Sequence, residues 1–184
     1  MIFIDDYSEN NYKVAGLLAK YGLIDKSIFF IDFRDGNAGA QIKILSDFGF
    51  DIGSHTITHS HLTKISNEQI EWELKQSKEA IEEITGKECE AFVYPRGYYT
   101  PEIIEMVKNS GYKWARTTLL QDGKTEFEKG GNHLSYPRSE YGGIDPFEWA
   151  KTSTLNHYWL HAFEVERYNL MDKLEEFLKW LTKK

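Results

Sequence analysis

The chain has 184 residues, 41% hydrophobic and 28% charged, which is typical of one folded domain with its own core. Its net charge of −7 argues against nucleic-acid binding through a broad basic surface, but it does not exclude a neutral substrate. The single cysteine, Cys89, excludes an internal disulfide and fits a reducing compartment.

The beginning of the sequence does not resemble a signal peptide, because Met1–Ile4 is followed at once by Asp5 and Asp6. No apolar run is long enough to span a membrane. We therefore expect a cytoplasmic protein without a membrane span, and an extracytoplasmic one only if a leader was removed. The sequence leaves the oligomeric state open.

Short apolar runs alternate with longer amphipathic ones, a pattern that predicts an α/β domain with a largely parallel sheet. The predicted strands are Met1–Ile4, Ser27–Ile31, Asp51–Ser54, Glu90–Tyr94, Tyr112–Thr117, His133–Tyr136 and Tyr158–Leu160. The predicted helices are Asn11–Tyr21, Ala38–Phe48, a long one opened by a capping box at Ser66 and Gln69, Pro101–Asn109, Pro146–Ala150 and Leu170–Leu181. The stretch from Leu120 to Asn132 is predicted to be an exposed loop.

Polar residues follow directly after four of the predicted strands: Asp5 and Asp6, His55, the turn at residues 95–97, and His161. The carboxyl ends of parallel strands point to one face of a β/α domain, where active sites are built. Charged residues also mark places where strands emerge into water, and for Asp5 alone that explanation would suffice. For the whole set, a site at this face is the better interpretation.

His55 and His59 stand four residues apart, a spacing that on one helical turn puts both imidazoles on the same face. A His-rich polar turn is the alternative. Two imidazoles and one carboxylate around a divalent metal make a hydrolytic arrangement. Asp5 and Asp6 would point oppositely on a regular strand, so both can serve the site only if a turn re-aims them.

These motifs resemble the polysaccharide deacetylases, the NodB-homology or carbohydrate esterase family 4 domains, from Phe3 to the final helix. Phe3-Ile4-Asp5-Asp6 resembles the first motif of that family, and Ser54-His55-Thr56-Ile57-Thr58-His59 resembles the second. Phe92-Val93-Tyr94-Pro95-Arg96-Gly97 and Trp159-Leu160-His161 are similar to later motifs. The resemblance implies a distorted, incomplete β/α barrel of about seven parallel strands, since a full barrel needs about 250 residues.

The resemblance also implies a role for each matching residue. Asp6, His55 and His59 would hold a divalent metal, zinc first and cobalt, nickel or manganese otherwise. Asp5 would be the general base that takes a proton from metal-bound water, and His161 the general acid that protonates the leaving amine. A backbone N–H in the turn at residues 95–97 would hold the oxyanion.

Six further residues are predicted to form the oxyanion and substrate pocket: Arg96, Gly97, Tyr98, Trp149, Trp159 and Leu160. The sequence departs from the family at two motifs. Tyr7 replaces a glycine after Asp6, so we expect the loop there to follow a different path. Val93 stands where the arginine that orients the base is often found, which leaves open whether Arg96 reaches Asp5.

The segment from Asp145 to Trp149 faintly resembles a fourth motif that tunes the acid histidine, and a capped helix start explains it equally well. His61, His133 and His157 are not expected to bind metal. Glu164, just beyond His161, is expected either to pair with the site face or to be solvated.

The resulting hypothesis is a metal-dependent hydrolase that removes N-acetyl groups from an amino-sugar glycan or glycan precursor. Its partner would then be an N-acetylated carbohydrate and not a nucleic acid. Two alternatives remain: the same fold hydrolysing a small non-sugar amide, and a domain that binds glycans without cleaving them. Only the missing arginine of the third motif favours the last.

Overall fold

The computed structural model describes residues 1–122, 126–136 and 138–184. In this part of the chain, eight strands form one all-parallel sheet in the order β6-β5-β4-β3-β2-β1-β8-β7. The strands are β1 (Ile2–Asp5), β2 (Ser27–Ile31), β3 (Asp51–Ser54), β4 (Ala91–Val93), β5 (Trp114–Arg116), β6 (Glu128–Lys129), β7 (Asn132–His133) and β8 (Tyr158–His161). The sheet is curled into a distorted barrel, so the predicted fold class is confirmed.

Helices connect the strands and cover the outside of the sheet. They are α1 (Asn11–Lys20), α2 (Ala38–Asp47), α3 (Asn67–Thr85), α4 (Pro101–Asn109), α5 (Pro146–Thr152), α6 (Ala162–Arg167) and α7 (Met171–Leu181). The predicted capping box begins α3, because Gln69 N–H donates to Ser66 Oγ at 3.3 Å and Ser66 N–H donates to Gln69 Oε1 at 3.1 Å. Among the described residues, no helix has the length and apolar character needed to cross a lipid bilayer.

Strand alternation gives the sheet two apolar faces. The larger cluster joins the strands to the helices, and it includes Ile4, Phe92, Ala115 and Leu160. The smaller cluster lies on the concave side, and its members are Phe3, Ile28, Phe30, Ala91, Val93 and Trp159, with Trp114 packed against them. At the carboxyl ends of the strands, the next inward-facing positions are polar. They are Asp5, His55, Arg116 and His161.

One extended segment joins the two edges of the sheet. Lys129 O accepts a hydrogen bond from Thr117 N–H beside β5, whereas Asn132 N–H donates to His157 O beside β8. Gly130 lies at the change of partner, where a Cβ would come within 2.7 Å of Leu119 O. Glycine is therefore required for the backbone to pass this point.

This segment explains why eight strands are found where about seven were predicted. β6 and β7 are separated by only two residues and both run parallel to their neighbours, so they are successive parts of one extended run. The prediction of an exposed loop from Leu120 to Asn132 was wrong for its last part, since Glu128 is buried and paired with Ala115. Residues 123–125 of that loop lie outside the described residues.

Candidate active site

Asp5 and Asp6 lie at the carboxyl end of β1, and a backbone turn separates their side chains. Asp5 is the last strand residue, while Asp6 has a left-handed φ of +68°. This conformation turns the backbone between the two residues, so that both adjacent aspartates can point toward the site. The positive φ falls on Asp6 and not on Tyr7, so the backbone does not require the family's glycine at position 7.

Asp6 faces both histidines of the second motif. Its Oδ1 lies 3.2 Å from His55 Nε2 and 3.3 Å from His59 Nε2, and His161 Nε2 lies 3.9 Å from its Oδ2. Burial by itself would raise the pKa of Asp6, but its contact with His55 and the charges of His161 and His59 hold that pKa well below its usual value.

The two histidines converge through a turn and not through a helix, so the expected helical geometry was wrong. His55 follows β3, and the chain then turns through left-handed φ angles of +69° at Thr56 and +54° at His59. The two rings meet edge to face, with centroids 4.6 Å apart. Burial and the neighbouring His55 lower the pKa of His59 to about 4, which keeps this imidazole neutral near pH 7.

Buried hydrogen bonds fix this turn from outside. Val93 O lies 3.0 Å from His55 Nδ1, and because a carbonyl only accepts, Nδ1 carries the hydrogen of this bond and Nε2 is the ring nitrogen that faces Asp6. Glu73 of α3, buried to 3% exposure, accepts hydrogen bonds from the N–H groups of Ile57 and Thr58 at 2.7 and 3.0 Å. The loop is therefore held by α3 and by β4.

Asp5 is paired with an arginine that the sequence interpretation missed. Arg116, the last residue of β5, donates from Nη2 to Asp5 Oδ2, and both side chains are 2% exposed. The guanidinium packs 4.4 Å from the ring centroid of Trp159. Asp5 Oδ1 is buried and accepts no hydrogen bond from the described residues. The sequence offered one signal for Arg116: it is a charged residue next to the end of the predicted strand Tyr112–Thr117.

His161 lies beside Asp5 in the sheet, because the two residues are register partners in the neighbouring strands β8 and β1. Its Nδ1 lies 2.8 Å from Glu164 Oε2, which also accepts a hydrogen bond from Ser135 Oγ at 2.6 Å. His133 Nε2 lies 3.2 Å from the same carboxylate oxygen. Burial alone would lower the pKa of His161, but Glu164, followed by the charge of Asp5, raises it above its usual value. Of the two expectations for Glu164, pairing with the site face is the one observed.

The turn after β4 buries Pro95 but places Arg96 and Tyr98 at the surface. Arg96 is exposed with a φ of +61°, and it makes no ion pair or side-chain hydrogen bond with the described residues, so it does not replace the missing arginine. Gly97 N–H already donates to Tyr94 O at 2.9 Å, whereas Arg96 N–H has no acceptor among the described residues. Tyr98 is 56% exposed and stacks on His61 with centroids 4.5 Å apart.

The remaining predicted pocket residues have different surroundings. Trp159 lies on the concave face, where its indole N–H donates to Gly131 O at 3.1 Å. Leu160 is fully buried in the helix-facing cluster, because its neighbours in β8 take the inward positions, and so it does not line the site.

Trp149 stacks on Tyr141 with ring centroids 5.1 Å apart. Asp145 caps α5 by accepting from Phe147 N–H at 3.0 Å, which supports the capped-helix interpretation of that segment.

Two residues near Asp6 were not singled out from the sequence. Asp32 directly follows β2, and its two carboxylate oxygens lie 2.7 Å from Arg34 Nε and 3.0 Å from Arg34 Nη2. Arg34 Nη2 lies 3.6 Å from Asp6 Oδ1, and the side chain is half exposed. The positive charge of the Arg34 guanidinium therefore lies beside the candidate metal ligand Asp6.

The donor set fits a divalent cation. One carboxylate oxygen and two imidazole nitrogens, from Asp6, His55 and His59, all lie within 4.8 Å of one another. Asp6 Oδ1 is buried and accepts no hydrogen bond of normal geometry from the described residues, although it faces both rings. A cation between these atoms would satisfy that oxygen.

Comparisons with known proteins identify the family of this chain. Residues 1–115 match the model of the family described as polysaccharide deacetylase. The peptidoglycan-N-acetylmuramic acid deacetylase PdaA of Bacillus subtilis is 33% identical over 133 residues, which are 68% of this chain and 49% of that protein. The chain spans about half the length of the curated relatives it matches.

Solved structures share the fold. The CE4 domain of a multidomain xylanase from the hindgut metagenome of Trinervitermes trinervoides superposes with a TM-score of 0.75 at 18% identity, covering 99% of this chain and 82% of that one. A CE4 family pseudoenzyme from Bacillus anthracis gives a TM-score of 0.74 at 14% identity, covering 99% and 59%. Because the family model covers well over half of the sequence, the chain belongs to the polysaccharide deacetylase family.

Proposed function

We propose that this domain is a metal-dependent deacetylase that hydrolyses N-acetyl groups of an amino-sugar glycan or glycan precursor. One observation carries the proposal: Asp5, with one oxygen held by Arg116 and the other buried without a donor, stands beside the carboxylate and imidazoles of a metal-type cluster. Family membership and a relative named for deacetylating N-acetylmuramic acid in peptidoglycan support it.

Asp6, His55 and His59 would hold the cation, zinc first and cobalt, nickel or manganese as alternatives. When bound, it would supply Lewis-acid chemistry, polarising the acyl oxygen and acidifying water. The neutral state of His59 and the ionised state of Asp6 suit this role without a proton first having to leave.

Asp5 would take the proton of the attacking water at Oδ1. This oxygen accepts no hydrogen bond from the described residues. Arg116 would fix the orientation of that carboxylate and balance its buried charge. Arg96 N–H, which has no acceptor among the described residues, is our candidate for the oxyanion donor.

His161 would donate a proton from Nε2 to the departing amine. The Glu164 carboxylate fixes the ring through Nδ1 and raises its pKa, which favours the protonated form that a general acid needs. Acetate and a free amino sugar would be the products.

The test is an acetate-release assay on chito-oligosaccharides, on peptidoglycan fragments and on a panel of small amides, with the metal content measured on the same protein. We expect acetate from the sugars and none after Asp5→Asn. Asp51→Asn is the matched control, since that carboxyl is exposed at the opposite end of the strands. Turnover of the small amides alone would favour the first alternative and overturn the glycan substrate.

A non-catalytic glycan-binding domain remains the second alternative, because a pseudoenzyme has the same fold. The feature that favoured it was the missing arginine of the third motif. Arg116 offers Asp5 an arginine from a different strand, which weakens that reason. Glycan binding without acetate release by the metal-loaded protein would support this alternative.

A further inference from the structure

Three donor groups converge on the side of the His161 ring that faces away from Asp6. His161 Nε2 faces Asp6, whereas its Nδ1 lies 2.8 Å from Glu164 Oε2, and His133 Nε2 lies 3.2 Å from the same carboxylate oxygen. The two imidazole nitrogens and the carboxylate oxygen all lie within 4.8 Å of one another. They make a second set of two histidines and one carboxylate, separate from the metal-type cluster around Asp6.

We propose that His133, His161 and Glu164 form a second site for a divalent cation such as zinc, and that an ion bound there switches off the general acid. The inference rests on the proposed function for the role of His161, but not for the binding of the ion. The ion would take the place of the Nδ1 proton of His161, which passes to solvent. The ring then cannot be an imidazolium, and the proton at Nε2 leaves it far less readily.

The spacing of the donor atoms fits a zinc ion. Two ligands at about 2.0–2.1 Å from zinc in a tetrahedral site are about 3.3 Å apart. Glu164 Oε2 and His133 Nε2 are already 3.2 Å apart, and the distance to His161 Nδ1 would open from 2.8 Å by about half an ångström. Two imidazoles with one carboxylate favour zinc or a similar transition metal over magnesium or calcium.

Packing holds the His133 ring in the position that this site requires. The ring stacks on Trp159 with centroids 3.9 Å apart, and the side chain is 7% exposed. The backbone N–H of His133 donates to Tyr141 Oη at 2.8 Å. A ligand that is already ordered loses little conformational freedom when the ion binds.

The charge of Glu164 is available to a cation. No lysine or arginine among the described residues pairs with this carboxylate, whose contacts are the two histidines and Ser135 Oγ. The side chains of His161 and Glu164 are 21% and 17% exposed, so an ion can reach them. An ion bound at Asp6 would repel a second one, because His161 Nε2 lies only 3.9 Å from Asp6 Oδ2. We therefore expect the second ion to bind more weakly than the first.

Equilibrium dialysis over a range of free zinc concentrations counts the ions bound per chain. We expect one tight and one weaker equivalent in the unmodified protein. His133→Phe keeps a ring on Trp159 but removes the nitrogen, and it should weaken the second equivalent by more than about 100-fold while sparing the first. His59→Ala should do the reverse. His157→Phe is the matched control, which should bind both ions because His157 lies outside the two clusters.

A second equivalent that persists in His133→Phe, or that never binds to the unmodified protein, would overturn the site. If His133→Phe does not fold, anomalous scattering from a zinc-soaked crystal of the unmodified protein decides the question. A peak between His133, His161 and Glu164 supports the site, and the lack of one overturns it.

Acetate release over the same zinc range tests the effect on the acid. We expect the rate to rise as the first equivalent binds and to fall as the second one binds. Binding of the second equivalent without loss of rate would overturn the switch while leaving the ion site in place. Release of no acetate at any zinc concentration would overturn the proposed function and the switch with it, whereas the dialysis count would still decide the ion site.

Discussion

Arg116 and Asp5, separated by 111 positions in sequence, form a buried ion pair between the ends of β5 and β1. A guanidinium is worth burying only beside a well-placed anion, because removing one partner leaves an uncompensated charge. The pair therefore ties the proposed catalytic base to a strand on the far side of the sheet.

Arg116→Met should lower stability by about 3–5 kcal/mol and kcat by about 100-fold, because Asp5 loses both its counter-charge and its orientation. Adding Asp5→Asn should recover much of the stability and none of the activity. Lys113→Met is the control, since Lys113 is half exposed just before the same strand. Denaturant unfolding and acetate release are the measurements. Equal stability of the single and double variants would contradict the pairing.

Glu164→Gln should move the alkaline limb of the kcat–pH profile to lower pH. Glu164 raises the pKa of His161, and a general acid works only below its pKa, so a neutral amide lets the proton leave sooner as the pH rises. Glu166→Gln is the control, because Glu166 makes a surface pair with Lys13. An alkaline limb that stays in place would show that Glu164 does not act on this proton.

His59→Ala should abolish tight metal binding, whereas His61→Ala should not. His59 Nε2 belongs to the cluster with Asp6, while His61 instead stacks on the exposed Tyr98. We expect the first variant to lose affinity by more than about 100-fold, beyond the usual effect of an outer-shell residue. Elemental analysis and chelator competition measure this. Similar affinity losses in both variants would argue against the assigned ligands.

Glu73→Gln should weaken metal binding by about 10–100-fold although Glu73 lies outside the cluster, because its carboxylate holds the N–H groups of Ile57 and Thr58 between the two histidines. Glu71→Gln, on the exposed side of α3, is the matched control. The same competition assay applies. If the Glu73 variant binds metal as tightly as the control does, the loop does not depend on this anchor.

Gly130→Ala should destabilise the fold by about 1–3 kcal/mol, because the added methyl group would meet backbone atoms of residues that cannot withdraw easily. Gly16→Ala should instead stabilise it by about 0.5–1 kcal/mol, since Gly16 is an exposed position of α1 with open space around it. Thermal unfolding of both variants measures the contrast. No loss of stability for the Gly130 variant would contradict the tight crossing.

Much of the fold followed from local sequence patterns. Apolar runs and amphipathic periods are local properties, and they identified the strands from Ser27 and from Tyr158 and the long helix opened by Ser66. The strand pairs that close the barrel were harder to predict. β6 has only two residues, and the two glycines that follow it resemble loop signals, so its pairing with β5 becomes visible only in the tertiary structure.

The sequence by itself determined the residue types of the proposed site: two adjacent carboxylates, a histidine pair and a later histidine, each beyond a strand. Only the tertiary structure decided how they are held. The left-handed φ of Asp6, the turn between His55 and His59, and the pairing of Arg116 with Asp5 depend on contacts between distant elements. Such contacts leave no local period in a sequence, because they arise only when the curled sheet brings its strand ends together.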